Sequence, residues 1–177
     1  MTGNSLHRFV LLLSLLTLTA GCTVVSRYAS PVEGDLTLKM ERSACYGKCP
    51  VYAIEITPDG KLTFDGQRDT TTLGKAEAQL SKKQMDDIVG EIRRSDFFNL
   101  KDDYGQDSKD CAITSTDMPS VRLTIKVGNR SKTIDHYHGC WSTQDATPNF
   151  SDRIFPQELY KLELKIDEIA ETKKWVK

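Results

Sequence analysis

Cys45-Tyr46-Gly47-Lys48-Cys49-Pro50 separates two runs in which apolar and polar residues alternate. Before it, Leu36, Leu38 and Met40 alternate with Thr37, Lys39 and Glu41; after it, Tyr52, Ile54 and Ile56 form the next row. A period of two marks half-buried strands. The stretch itself reads as a corner that turns one strand into the next. Gly47 is free to take a positive φ, and Pro50 fixes the exit. Cysteines spaced C-x3-C suit a small structural disulfide across that corner. A one-residue slip there turns the row Tyr52, Ile54, Ile56 to solvent. The disulfide of this corner is therefore expected to matter more to stability than any other in the chain.

After the corner, Pro58-Asp59-Gly60 is a turn signal. It sets Ile56 opposite Leu62 and Ile54 opposite Phe64, so both apolar rows share a face. Asp65-Gly66 reads as a further turn into a weaker strand over 67–73. A helix is predicted over 81–95, with Ser81 and Gln84 as a capping box and Leu80 and Met85 as a hydrophobic staple. Met85, Ile88, Val89 and Ile92 recur along it at helical spacing, and Asp96-Phe97-Phe98-Asn99-Leu100 ends it in an apolar plug.

Val121, Leu123, Ile125 and Val127 form a strong strand, and Gly128-Asn129 suits a two-residue hairpin turn. The return strand then pairs Leu123 with Ile134, Val121 with His136 and Arg122 with Asp135. A second irregular loop holds Pro148. Pro156 suits the first position of a last helix, along which Leu159, Leu162, Ile166 and Ile169 line one face. Strand pairs each followed by a helix predict an α+β domain over residues 35–177. Its architecture is an antiparallel sheet of two or more hairpins, with two helices packed on one face.

The N-terminus carries different information. Residues 1–8 bear one positive charge, 9–18 are apolar apart from Ser14 and Thr17, and Thr19-Ala20-Gly21-Cys22 follows. That is the order of a secretory signal, and its apolar core is too short to span a bilayer. It resembles the signal of bacterial lipoproteins, in which cleavage precedes the cysteine and its sulfur takes a diacylglycerol. Thr19 stands where that signal usually has Leu. The resemblance implies a signal peptide over 1–21, lipid on Cys22, and a lipidated N-terminus and tether over 22–34. Thr23 follows the cysteine where an inner-membrane retention signal carries Asp, which implies the outer membrane, facing the periplasm. The expected partners are the membrane, through this lipid, and an envelope protein or small ligand that the sequence does not specify. A formal charge of -1 gives no electrostatic footprint for nucleic acid.

Outside the cytoplasm cysteines tend to pair. With Cys22 given to lipid, Cys45, Cys49, Cys111 and Cys140 remain, and four cysteines allow three connectivities. The favoured one joins 45 to 49 and 111 to 140. The hairpin register places Cys140 opposite Asp117, so that pairing needs residues 111–118 to fold back.

Two other chemistries deserve weighing. His136 and His138 share a strand face with Cys140 close by, and imidazole with thiolate is a zinc or copper set. Yet the register puts His136 beside Val121 and Ile134, where a hydrogen-bonded core histidine is the commoner outcome, and a disulfide at Cys140 leaves too few ligands. Cys45 and Cys49 could form a redox pair, but a reactive thiol wants a helix N-terminus and a strand pattern follows instead. There is no nucleophile elbow, no H-E-x-x-H and no phosphate-cradling glycine loop. No cofactor is expected. The reading leans away from an enzyme and toward a non-catalytic binding or structural module.

Residues 44–52 also resemble a family of bacterial domains of unknown function that share a Cys-aromatic-Gly-x-Cys-Pro-x-aromatic motif. In that family a helix ends near Asp-Phe-Phe and a Trp lies near the C-terminus. The matching positions are Cys45, Tyr46, Gly47, Cys49, Pro50 and Tyr52, then Asp96-Phe97-Phe98, then Trp175. The resemblance implies a shared fold and export, and brings no activity.

Overall fold

The structure, a computed structural model, describes residues 35–142 and 149–177. The expected signal peptide, the expected lipid site at Cys22, the expected tether and the loop residues 143–148 lie outside the described residues. In chain order the elements are β1 (Leu36–Arg42), β2 (Val51–Ile56), β3 (Lys61–Arg68), β4 (Gly74–Gln79) and α1 (Lys82–Arg94). Then come β5 (Asp103–Tyr104), β6 (Ile113–Thr114), β7 (Ser120–Val127), β8 (Arg130–Tyr137), β9 (Cys140–Trp141), α2 (Gln157–Ile169) and α3 (Lys173–Val176). The fold is α+β. One sheet runs β4-β3-β2-β1-β7-β8-β5, and β6 pairs with β9 separately. Every pairing is antiparallel except the short β5–β8 contact.

Alternation decides which face of the sheet is covered. Leu38, Met40, Ile54, Ile56, Leu62, Phe64, Leu123, Ile125 and Ile134 are wholly buried, in one cluster with Ile88 and Ile92 of α1 and Leu159 and Ile166 of α2. The opposite face is polar, with a Lys39–Glu41 pair, an Arg122–Asp135 pair and a Thr124–Thr133 hydroxyl contact. The expected cross-strand pairs are present: Ile56 with Leu62, Ile54 with Phe64, Leu123 with Ile134, Val121 with His136, and Arg122 with Asp135. Helix α1 carries the capping box of Ser81 and Gln84.

Three expectations are corrected. There is no turn at Asp65-Gly66 and no strand over 67–73; β3 continues through Gly66, and β4 begins at Gly74. A Cβ at position 66 would sit 2.0 Å from the Thr72 carbonyl oxygen. The glycine thus marks a close backbone approach within a strand. Pro156 occupies the cap position, and α2 starts one residue later.

The third correction concerns the corner. Residues 43–50 form a surface loop closed by a Cys45–Cys49 disulfide. Tyr46 is 88% exposed, and Gly47 has φ 122° with open space around it. The register of β1 is held without this loop. Strand β1 pairs with β2 from Leu38–Ile56 to Arg42–Tyr52, and with β7 from Leu36–Val127 to Arg42–Val121. A strand bonded along both edges, with Leu36, Leu38 and Met40 buried, is the organising element. Tyr52 belongs to that interior: its ring lies 5.3 Å from Phe64, which stacks on Trp175 at 5.0 Å.

Candidate functional site

Strand β8 ends in His136 and Tyr137, His138 follows directly, and both histidines are buried. Period-two alternation alone explains why they point the same way. Facing them, α2 presents Leu159, Leu162, Glu163 and Ile166 on its buried side. Position 163 lies four after Leu159 and three before Ile166, so helical geometry turns its carboxylate into the core beside them.

The result is a closed cluster. Glu163 Oε1 lies 2.6 Å from His136 Nδ1, and Glu163 Oε2 lies 2.8 Å from His138 Nε2. His136 Nε2 approaches the Phe155 carbonyl oxygen at 3.2 Å. Both neighbours of the His136 ring are acceptors: the Glu163 carboxylate faces Nδ1 and the Phe155 carbonyl faces Nε2. Tyr104 meets His136 edge-on at 6.3 Å, and Tyr160 meets His138 at 5.2 Å. Burial pushes the Glu163 carboxyl up, but the His136 charge and the hydrogen bonds from both histidines outweigh it and hold the group at about 2. Burial pushes His138 below its usual value, against the opposing pull of Glu163.

One turn along α2 sits a second network. Asp167 Oδ2 accepts from Arg42 Nε at 2.9 Å and Nη2 at 2.6 Å. Its Oδ1 accepts from Tyr52 Oη at 2.7 Å and Thr172 Oγ1 at 2.9 Å. Arg42 Nη2 also donates to the Glu163 carbonyl at 3.4 Å, which joins the two networks. Burial pulls the guanidinium down, but Asp167 more than offsets it and leaves Arg42 raised.

The structure separates the residues that the sequence grouped. Cys140 is wholly buried and bonded to Cys111. Residues 111–118 do fold back, with Thr114 opposite Cys140 and Ile113 opposite Trp141. A disulfide sulfur supplies no thiolate, so Cys140 does not join the histidines, and Glu163 stands there instead. Cys45–Cys49 leads into β2 rather than a helix, so no helix N-terminus stands behind either sulfur. Of the motif residues, Tyr52 enters the core, Pro50 is half-buried and Tyr46 faces solvent. Glu163 was legible only as a charged residue inside the 159–162–166 apolar spacing.

The cluster sets a pH dependence. The folded Glu163 lies below its ordinary value of 4.5, so its contribution is present above that value and lost as pH falls toward about 2. His138 lies below 6.5, so the unfolded chain takes up that proton first, and the sign is the same. Thermal unfolding should therefore show stability falling as pH drops below 6.5, and more steeply below 4.5. Glu163→Gln should flatten the lower part. A wild-type melting temperature that is level between about pH 5 and pH 3 would contradict this assignment.

No curated protein matches the chain. A family model described as a domain of unknown function, DUF6438, matches residues 36–170, from the first residue of β1 to the residue that caps α2. The match takes in the whole seven-stranded sheet, both long helices and the His136–Glu163–His138 cluster, and the chain belongs to the DUF6438 family.

Proposed function

We propose that this is a lipid-anchored cell-envelope protein on the periplasmic face of the outer membrane. Its single DUF6438 domain, over 35–177, acts as a non-catalytic binding or structural module. The observation that carries the reading is the state of the cysteines. Cys45–Cys49 and Cys111–Cys140 are disulfides, which suit an oxidising compartment. Cys22, directly after the apolar run and small residues of an export signal, is the one cysteine left over. Within the domain, buried Glu163 and part-buried Asp167 are bonded to partners on facing elements, as in a scaffold. One acyl chain binds a membrane only marginally, whereas several anchor firmly.

Cys22→Ser tests the anchor. Wild type is expected to partition into detergent, and the variant to remain an unprocessed precursor or become soluble. A variant that loses its signal yet partitions like wild type sinks the lipid assignment. Wild type fractionating with the inner membrane would overturn only the outer-membrane step.

A further inference from the structure

We propose that His136, His138 and Glu163 form a zinc-binding site, a single ion taking the place of the hydrogens that now bridge the carboxylate to the two rings. The three residues offer donor atoms that all lie within 4.8 Å of one another. Two imidazoles and one carboxylate make a recognised zinc set, with bonds of about 2.0–2.2 Å. Tetrahedral geometry at those lengths spaces the donors by roughly 3.4 Å. The 2.6 and 2.8 Å contacts to Glu163 therefore need to open by less than about 1 Å, and a donor pair as wide as 4.8 Å needs to close by about 1.4 Å. Nitrogen donors select against magnesium and calcium, which prefer all-oxygen shells.

The surroundings of His136 add a separate observation. A zinc-bound histidine characteristically donates its other ring N–H to a carbonyl or carboxylate. His136 Nε2 faces the Phe155 carbonyl oxygen, while Nδ1 faces Glu163. An ion between Nδ1 and Oε1 leaves the ring's one N–H on Nε2 to donate to Phe155, and both acceptors are then satisfied. The ligating nitrogens give up their hydrogens to solvent or to the opposite ring nitrogen, and the two hydrogen bonds to Glu163 are exchanged for bonds to the ion. The ligands are held in place: His136 lies in β8, which β7 pairs, the His138 backbone N–H donates to the Pro119 carbonyl at 2.9 Å just past the strand end, and Glu163 sits in the middle of α2. Access runs along His138, whose side chain is 8% exposed while those of His136 and Glu163 are fully covered. Three protein donors leave a fourth position for water or another ligand. The nearby Arg42 is committed to Asp167 through two N–H donors, so its charge is offset there.

The experiment is a zinc titration of the purified full chain, disulfides intact and stripped with chelator. Calorimetry should show one equivalent bound at micromolar Kd or tighter. Because loss of an outer-shell partner alone costs about 10–100-fold in metal affinity, loss of a ligand in Glu163→Gln should weaken binding by at least about 100-fold. If that variant does not fold, His138→Gln at the exposed edge replaces it. In the wild type the imidazole NMR resonances of His136 and His138 should shift with zinc, a readout that needs no variant. Absence of stoichiometric binding, affinity unchanged in a folded variant, or unmoved imidazole resonances would each show the cluster to be a hydrogen-bonded bracket only. None of those results bears on the Cys22 anchor.

Discussion

Asp167→Ala should destabilise the domain by about 3–5 kcal/mol, because it strands a charge in the seam between sheet and helices. The carboxylate receives four donor groups: two from Arg42, one from Tyr52 and one from Thr172. They arrive from β1, from β2 and from the end of α2, so one side chain fastens the helical layer to two central strands. Arg42 is only 14% exposed at its side chain, and Asp167 19%. Without the carboxylate, the guanidinium keeps the Glu163 carbonyl at 3.4 Å and the Met40 sulfur at 3.9 Å, neither of them an anion. Residual exposure lets some water reach it, which places the expectation toward the lower end of the range. Asp167→Asn keeps the shape and loses the charge, and should cost roughly half as much. Pairing Asp167→Ala with Arg42→Met should recover part of the loss, with a coupling of at least about 1 kcal/mol in a double-mutant cycle. Urea unfolding reads all three. A cost below about 1 kcal/mol for Asp167→Ala would mean the network is solvated and contributes little.

Of the two disulfides, Cys111–Cys140 should prove the more important. Sequence separations of 29 and 4 correspond to losses of about 4 and about 2 kcal/mol from unfolded-chain entropy. The packing now points the same way. Cys140 is wholly buried, and its carbonyl accepts from the Phe155 N–H at 2.9 Å. Phe155 in turn faces His136, so the bond braces one wall of the buried cluster. Its partner segment is tied in by Ala112 N–H to Trp141 and Ser115 N–H to Gly139. The Cys45–Cys49 loop, by contrast, reaches the rest of the domain through Tyr46 N–H to Asp117 at 3.0 Å while its tip faces solvent. Urea unfolding of Cys111→Ala/Cys140→Ala beside Cys45→Ala/Cys49→Ala settles the order. If the second double variant is the less stable, the 43–50 loop regains the organising role that the sequence suggested.

Strands β1, β2, β3, β7 and β8, the β2–β3 and β7–β8 hairpin partners and the first helix cap were legible because each rests on local rules. Alternation sets the face, Gly128-Asn129 sets the turn, and Ser81 with Gln84 sets the helix start. What local rules do not carry is who neighbours whom across the sheet. Nothing near Leu36 announces that it will lie beside Val127, and so the corner was credited with a register that β7 helps to hold. Gly66 misled for a related reason: the Thr72 carbonyl that needs the missing side chain is six residues away. Glu163 was the costliest omission. A lone carboxylate on an amphipathic helix reads as solvated until the end of β8 and the residue after it are seen opposite, with two imidazoles that hydrogen-bond it.

The β1–β7 ladder also sets the order in which the molecule can complete itself. Strands β1 to β4 can zip as a meander of near neighbours, but the far edge of β1 stays bare until residues 121–127 arrive. Pairings so distant along the chain pay loop-closure entropy before they return any energy, and they slow folding. Until then the row Leu36, Leu38, Met40 remains half covered, and the domain has no finished core to lock shut. Under the export proposed above, that delay would leave the chain open for threading across a membrane, since the closing strand lies in the second half of the chain.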